Sequence, residues 1–501
     1  MNIVLIFPTQ LFENNKLINE NSIVYILEHK LFFTDYQYHK LKLILHRSTM
    51  KFYYDYIIDK YNCKVKYIEF NTDLETIFKS NKNKSIKMYD PVDHGIMEEL
   101  NYLSDKYNID LVIHDTPSFM ETTDELKEYY SDNSNNISQT SFYIWQRKKY
   151  NILVDKNYKP IGGKWTFDKD NREPYTPNFN YDANFKENKS EYIQEAIEYI
   201  KKHFNNNIGT HLVYYLPIDF LNSKKHLTKF ITERLDCFGP SQDAVSDNII
   251  FGCHSVLSPM LNTGLLTPKY VIDKILNYYN KHKNTINFSS IEGIIRQIIG
   301  WRSWMRYNYI FKHKELINNN YFNHNRKIDD SWYSGNTGIG PIDEIIKKVL
   351  EYGYAHHIER LMYLGNFMLL SEFDPLDVYE WFQSMFIDSY TVFMETNVYG
   401  MSQYSSGPLL VSRPYFSSSN YIDKMSSYKK KPNIFNTIKL KNENYEWYEI
   451  WDALYYNFIN KNKNVFKSNY STARSVAQWN RKSNTEVKEK LKIAKLYLSN
   501  Y

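Results

Sequence analysis

Apolar positions in the first 115 residues fall in short, β-branched runs at 2–7, 22–28, 65–70, 86–89 and 110–114. Between them, apolar residues recur at helical period around 37–61, 73–79 and 92–107. Short apolar runs joined by crossovers of about 10–25 residues predict a mostly parallel sheet covered by helices. A polar helical stretch over 121–150 leads out of that pattern. Residues 155–190 then turn rich in Gly, Pro, Asn and Asp, as in KPIGGKWTFDKDNREPYTPNFNYD, which marks a long ordered linker.

Beyond the linker the pattern is almost wholly helical. Apolar residues at i, i+3, i+4 spacing run near 190–204, 268–283, 289–315, 342–370, 375–394, 446–461 and 485–499. The expected organisation is an α/β domain with a parallel, doubly wound sheet over 1–130, a connecting helix and linker over 131–190, and a larger all-α domain over 191–501. Neither G-x-G-x-x-G nor G-x-x-x-x-G-K-[ST] occurs, so no evident dinucleotide or nucleoside-triphosphate signature is present.

Charge sharpens this division. The net charge of +5 combines −3 over residues 1–150 with +8 over the remainder. Positive charge confined to the helical part suits an anionic partner there, nucleic acid first among them. Aromatic residues make up 17% of the chain, with 46 Tyr, 29 Phe and 9 Trp. An AT-rich coding sequence accounts for most of the Tyr and less of the Trp. Cys63, Cys237 and Cys253 show no CxxC spacing, so no disulfide framework and no four-cysteine metal site is expected. A reducing, cytoplasmic compartment follows as the simplest expectation. The opening MNIVLIFPTQLF reads as a first strand and not a signal peptide, and no apolar run approaches the roughly 18 residues of a membrane span.

Four stretches of the helical half carry polar and aromatic residues that packing does not demand. Residues 237–268 place Ser255, Ser258, Asn262 and Thr263 near helix starts and glycines, where hydroxyls and N–H groups can hold phosphate. Taken alone, ordinary capping explains them better. Residues 291–310 repeat Arg296, Trp301, Arg302, Trp304 and Arg306 on an otherwise apolar helix, where Arg beside Trp can stack on a flat ring or clamp phosphate. A basic edge that reaches back to solvent is the alternative. In 352–370, adjacent His356 and His357 lie about 100° apart on a helix and cannot chelate one metal; one can face a pocket and the other the interior. Residues 377–422 hold Trp381, Tyr390, Tyr399, Tyr404 and Tyr415, rings able to pass single electrons or simply to pack. Spacing alone does not choose.

Longer motifs do. The chain resembles the prokaryotic (6-4) photolyase and cryptochrome B-like family, the deoxyribodipyrimidine photolyase-related proteins. The resemblance runs through Thr-Gln-Leu at 9–11, HKLKLILHRSTMKF at 39–52, GGKWTFDKDNR at 162–172 and FGPSQDA at 238–244. It continues in HSVLSPMLNTGLLTP at 254–268, IEGIIRQIIGWR at 291–302, YAHHIERLM at 354–362, NVYGMSQY at 397–404 and RPYFSSSNYI at 413–422.

This resemblance implies an N-terminal antenna domain and a helical domain holding non-covalent FAD, which acts on UV-damaged DNA. Excited reduced flavin would pass an electron to a flipped-out (6-4) pyrimidine–pyrimidone lesion. It further implies His357 as the lesion's proton donor, with His356 beside it and Tyr415 as pocket partner. Arg296, Gln297, Trp301 and Arg302 would lie between flavin and lesion. Ser255, Leu257 and Ser258 would meet the phosphates and ribityl chain, and Asn397 the isoalloxazine. Trp381 matches the tryptophan nearest the flavin in a photoreduction chain, with Tyr390 further along. Gln10 and Glu28 are candidates for a lumazine antenna, and the protein is expected as a monomer. A cryptochrome-like photoreceptor without repair activity is the alternative expectation, and a flavin-free relic a third.

Two departures from the family stand out. Its four-cysteine [4Fe–4S] positions fall on Pro341, near Lys429 and Pro432, and near Glu449, so no cluster is expected and packing must hold 424–446. Trp332-Tyr333 also stands where the family commonly ends an aromatic pair with Trp, leaving the outer electron route open.

Overall fold

Five parallel strands form the first layer of the protein. A computed structural model describes residues 2–133, 137–176, 181–183, 185–210, 212–431 and 437–500. The strands β1 (Asn2–Ile6), β2 (Ser22–Leu27), β3 (Lys64–Ile68), β4 (Ser85–Tyr89) and β5 (Asp110–His114) lie in the order β3-β2-β1-β4-β5. Each matches one apolar run of the sequence, and all pairings are parallel, as between Val4 and Val24. β1 is buried because helices cover both faces of the sheet.

The helix Lys40–Tyr61 joins the two halves of the molecule. Its N-terminus is capped by His39, whose ring accepts from the Leu41 N–H, and it stops at Asn62 in the left-handed conformation, φ 50°. Its first half is buried on nearly every side, Lys42, His46 and Arg47 included, because the sheet lies against one face and the helical region against the other. The helix Glu191–His203 follows the linker in sequence yet packs on this one, with Arg47 bonded to Glu195 and the Tyr199 hydroxyl donating to Glu28.

The linker is held in place from within. Arg147 Nε donates to the Ile152 carbonyl at 3.2 Å and its Nη1 to the Trp165 carbonyl at 2.9 Å. Beyond it, helices assemble around a second core that includes Ile346, Phe367, Trp381, Trp451 and Leu454. No helix among the described residues is long and apolar enough to cross a membrane.

The periodic segments 342–370 and 375–394 each break in two. Gly353, at φ 62°, ends the helix Gly340–Tyr352, and the chain resumes helical form only at His357. The helix Pro375–Met385 ends at extended Phe386, and Thr391–Asn397 begins anew. The first interruption brings Tyr354 and Ala355 to the cavity described below, and the second brings Asp388.

The cysteine expectation needs correction: Cys237 and Cys253 form a disulfide, with Cα atoms 5.9 Å apart. The loop between them returns because the Asp182 carboxylate accepts from the N–H groups of Ile250, Phe251 and Gly252. Sequence spacing carries no trace of that grip, and the reducing-compartment argument loses its premise.

Candidate functional site

Three widened helical turns, each with i→i+5 bonding, converge in the helical region: Arg296–Arg302, Glu359–Gly365 and Val398–Ser402. Such turns are rare, and they cost helix regularity in exchange for re-aimed side chains. Here they aim Gln297, Arg302, Arg360 and Ser402 into one cavity of about 280 Å³. Gly365 permits the close approach of two of these turns, since a Cβ there would stand 2.7 Å from Ser402 Cβ.

A fourth wall is the segment His254–Ser258. Val256 sits at φ 52°, a left-handed conformation that a β-branched residue adopts only under constraint. Its neighbours on both sides line the cavity, as do Ser255, Leu257 and Ser258. Strain stored at a chamber wall is the local signature of a functional loop.

The inner chamber opens into an outer cleft of about 660 Å³, and Ser258, Gln297, Arg302, His357, Arg360 and Asn397 line both. Arg296, Trp301 and Tyr415 line the cleft alone. The structure therefore gathers the eight candidate cofactor residues, together with His357 and Tyr415, around one connected space. Arg302 spans the junction, with Nε donating to the Ser118 carbonyl at 3.3 Å and its guanidinium stacked between Phe119 and Phe393. Arg296 pairs with Asp168 at 3.2 Å and Glu292 at 3.3 Å. Asn397 Nδ2 donates to the Phe393 carbonyl at 2.7 Å, which fixes its amide at the wall.

The two histidines part company. His357 is exposed to both chambers, and because those chambers lie deep, burial pushes its imidazole down to about 4, with Arg360 acting in the same direction. His356 turns inward and lines neither described chamber. Its ring stacks on His254 at 4.2 Å, and its backbone N–H donates to Glu359. The expected catalytic place beside His357 is thus corrected to a supporting one, since His254 is the residue that reaches the wall.

At the base of the site lies a pair that sequence reading passed over. Asp388 accepts from the Ser258 hydroxyl and pairs with Arg360 Nη2 at 2.8 Å. Arg360 stood in the YAHHIERLM motif and was available as a signal; Asp388 sits in the break after Met385, and nothing local marks it. Gln242 lines both chambers, and its Oε1 is buried without a hydrogen-bond partner. Asp243, beside it, is pushed up to about 6 by burial.

Trp381 lies one ring behind the inner chamber, in edge contact with Phe382 at 5.4 Å. Its indole N–H donates to the Trp332 carbonyl, and the two indoles stand 6.1 Å apart. Tyr333, next in the chain, is exposed at 37%. Tyr390 does not continue it. Among the described residues no ring contact links Tyr390 to Trp381; Tyr390 faces the sheet domain and bonds to His46 instead.

The antenna candidates are corrected as well. Gln10 accepts from the Phe7 N–H and donates to the Tyr89 carbonyl. Glu28 is consumed by Arg47, Tyr67, Tyr199 and the Phe70 N–H. The cavity between sheet and helices, lined by Thr9, Phe32, Tyr38, Lys42 and Tyr390 among others, holds only about 40 Å³. Neither Gln10 nor Glu28 lines it.

Of the former cluster positions, Pro341 opens a helix, Lys429 donates to the Asp423 carbonyl, and Glu449 caps the helix Trp447–Lys461. Pro432 lies outside the described residues. The hairpin Ile438–Leu440/Glu443–Tyr445 buries Ile438 and Leu440 in the second core, with Ile438 against Gly338.

Comparison with known proteins extends this picture. The family described as deoxyribodipyrimidine photo-lyase-related protein matches residues 4–212. A (6-4) photolyase of Agrobacterium fabrum is 29% identical over 394 residues, covering 79% of this chain and 76% of that protein. A bacterial class III photolyase from Agrobacterium tumefaciens superposes with a TM-score of 0.53 at 16% identity, covering 84% of this chain and 86% of that one. A Synechocystis cryptochrome superposes at 0.55 and 13% identity, covering 84% and 88%.

Proposed function

Because the deoxyribodipyrimidine photo-lyase-related family matches residues 4–212 and a (6-4) photolyase is 29% identical over 79% of the chain, we propose that it repairs (6-4) pyrimidine–pyrimidone photoproducts in DNA under blue light, with FAD in the joined chambers. The observation that carries this reading is His357, open to both the inner chamber and the outer cleft.

The residues fit a flavin dinucleotide. Gln242 and Asn397, whose amide is anchored, line the inner chamber, and Arg302 offers positive charge to a pyrophosphate. When bound, FAD supplies the light-driven one-electron donor. The chain does the rest. Ser255, Ser258 and Arg302 hold the cofactor, while Phe382, Leu361 and Met394 keep water from the inner chamber. Arg172, Arg413 and Lys424 line the cleft and meet the phosphates of a strand whose damaged dinucleotide has left the stack. Tyr415 packs beside that dinucleotide, and His357 Nε2 or Nδ1 delivers a proton to it.

A neutral imidazole cannot donate, so the low value at His357 has a mechanistic meaning. His357 would be held protonated only where anionic groups share its chamber, and would donate from there.

The test is direct. The purified chain, loaded with reduced FAD and given an oligonucleotide bearing a (6-4) photoproduct, restores the pyrimidines under blue light and not in the dark. His357→Ala binds flavin and repairs nothing. Light-dependent flavin chemistry with no repair by the unaltered chain would reject the enzyme in favour of a photoreceptor.

A further inference from the structure

Tyr390 and His46 meet in the space between sheet and helices. Tyr390 Oη and His46 Nε2 are 2.8 Å apart, and His46 Nδ1 is 3.1 Å from the Phe32 carbonyl oxygen. A carbonyl oxygen can only accept, so Nδ1 carries the hydrogen. Burial pushes this imidazole down to about 3, so the ring holds a single proton and Nε2 is a bare lone pair. The Tyr390 hydroxyl therefore donates to it. Both side chains are buried, His46 at 0% and Tyr390 at 6% exposure.

Mutual satisfaction of two polar groups would explain the bond but not the placement. His46 occupies an interior position of the helix Lys40–Tyr61, where an apolar side chain would pack at no polar cost. Tyr390 stands two residues beyond Asp388, and it shares its cavity with Arg302 and Asn262; Asp388 and Arg302 also line the inner chamber. One layer of side chains thus separates the phenol from the proposed flavin.

We propose that His46 is the proton acceptor that makes Tyr390 a one-electron donor to photoexcited oxidised flavin, separate from the Trp381–Trp332 line. This rests on the flavin reading above. In the step, one electron leaves the phenol for the excited flavin and the Tyr390 O–H bond breaks. The proton passes to His46 Nε2, leaving a neutral phenoxyl beside an imidazolium whose two N–H groups face the phenoxyl oxygen and the Phe32 carbonyl. Return of the electron reverses both transfers. Lys42 Nζ lies 5.2 Å from the Tyr390 ring centre, and burial pushes its ammonium down to about 7. Lys42 bears on His46 as well, and Asp388 and Arg302 are the charged groups that bear on Tyr390.

The experiment is a laser flash on the full chain loaded with oxidised FAD, without DNA, read by transient absorption and electron paramagnetic resonance. A neutral phenoxyl signal is expected, formed more slowly in D2O than in H2O, and lost in Tyr390→Phe and in His46→Leu. The Trp381 radical persists in both variants. The isotope comparison needs no variant, so a folding defect in His46→Leu does not decide the outcome. An unchanged phenoxyl yield in His46→Leu, or a rate indifferent to D2O, overturns the proposal. A chain that takes up no flavin overturns the function reading and this one with it; a chain that takes up flavin and forms no phenoxyl overturns this one alone.

Discussion

Replacing Asp388 by Ala removes the counter-charge of Arg360 at the base of the cavity. The two groups are 2.8 Å apart, with side-chain exposures of 12% for Arg360 and 7% for Asp388. At an effective dielectric of about 20 the gross attraction is about 6 kcal/mol. Water that enters the gap recovers part of it, so breaking the pair costs about 3–5 kcal/mol. Arg360 cannot swing away to solvent, because its Nε is bonded to the Ala355 carbonyl at 2.7 Å and its guanidinium lies 4.0 Å from the Phe386 ring centre. Asp388→Asn keeps the shape and an acceptor for Ser258, so its cost should be the smaller. Calorimetry should show Asp388→Ala melting about 3–10 °C below the unaltered chain, and a flavin titration should show weakened uptake. Adding Arg360→Met should recover part of the loss, since the isolated charge is then gone. A melting point within about 1 °C of the unaltered chain, with undiminished flavin binding, would refute the claim that this pair orders the cavity.

The other expectations concern protons, the disulfide and strain. Stability should fall as pH drops from about 6.5 to 4, because burial holds His39 down to about 4 while the unfolded chain takes up its proton near 6.5. His39 alone contributes about 3 kcal/mol to that slope, and His39→Gln should flatten it in pH-dependent melts. Single-turnover repair should slow as pH rises, since His357 must be protonated to donate; a pH-independent rate would remove it from the chemistry. Cys237→Ser should lower stability by about 3 kcal/mol through the freed loop of separation 16, seen in denaturant titration with and without a thiol reductant. Val256→Gly relieves the strained φ but loses a buried isopropyl group, so thermal stability should not rise and flavin retention should weaken as the wall loosens.

Much of the architecture could be read from the chain. Each of the five apolar runs became a strand of the sheet, and the linker and helical half followed in the expected order. The candidate residues of the cavity were reached through motif resemblance, because their partners stand far away in sequence: Ser258 meets Asp388 across 130 positions. What escaped reading has physical reasons. A widened helical turn such as Arg296–Arg302 shifts the phase of its face by one residue, and apolar periodicity in so greasy a helix does not register the slip. The break after Met385 carries no local mark, and the other is marked only by Gly353, a glycine placed to end a helix. Gln10 and Glu28 were antenna candidates through the resemblance alone, and the backbone groups and Arg47 that bond them are not visible in sequence.

The account depends on a flat redox cofactor seated where Gln242, Asn397 and Arg302 converge, with His357 between it and the cleft. Diffraction from crystals grown with FAD tests this most directly. Density for the dinucleotide should fill the inner chamber, with a phosphate oxygen against Arg302 or Arg360 and a hydrogen bond to Gln242 Oε1. An inner chamber left empty under saturating FAD, or a flavin bound elsewhere on the surface, would contradict it.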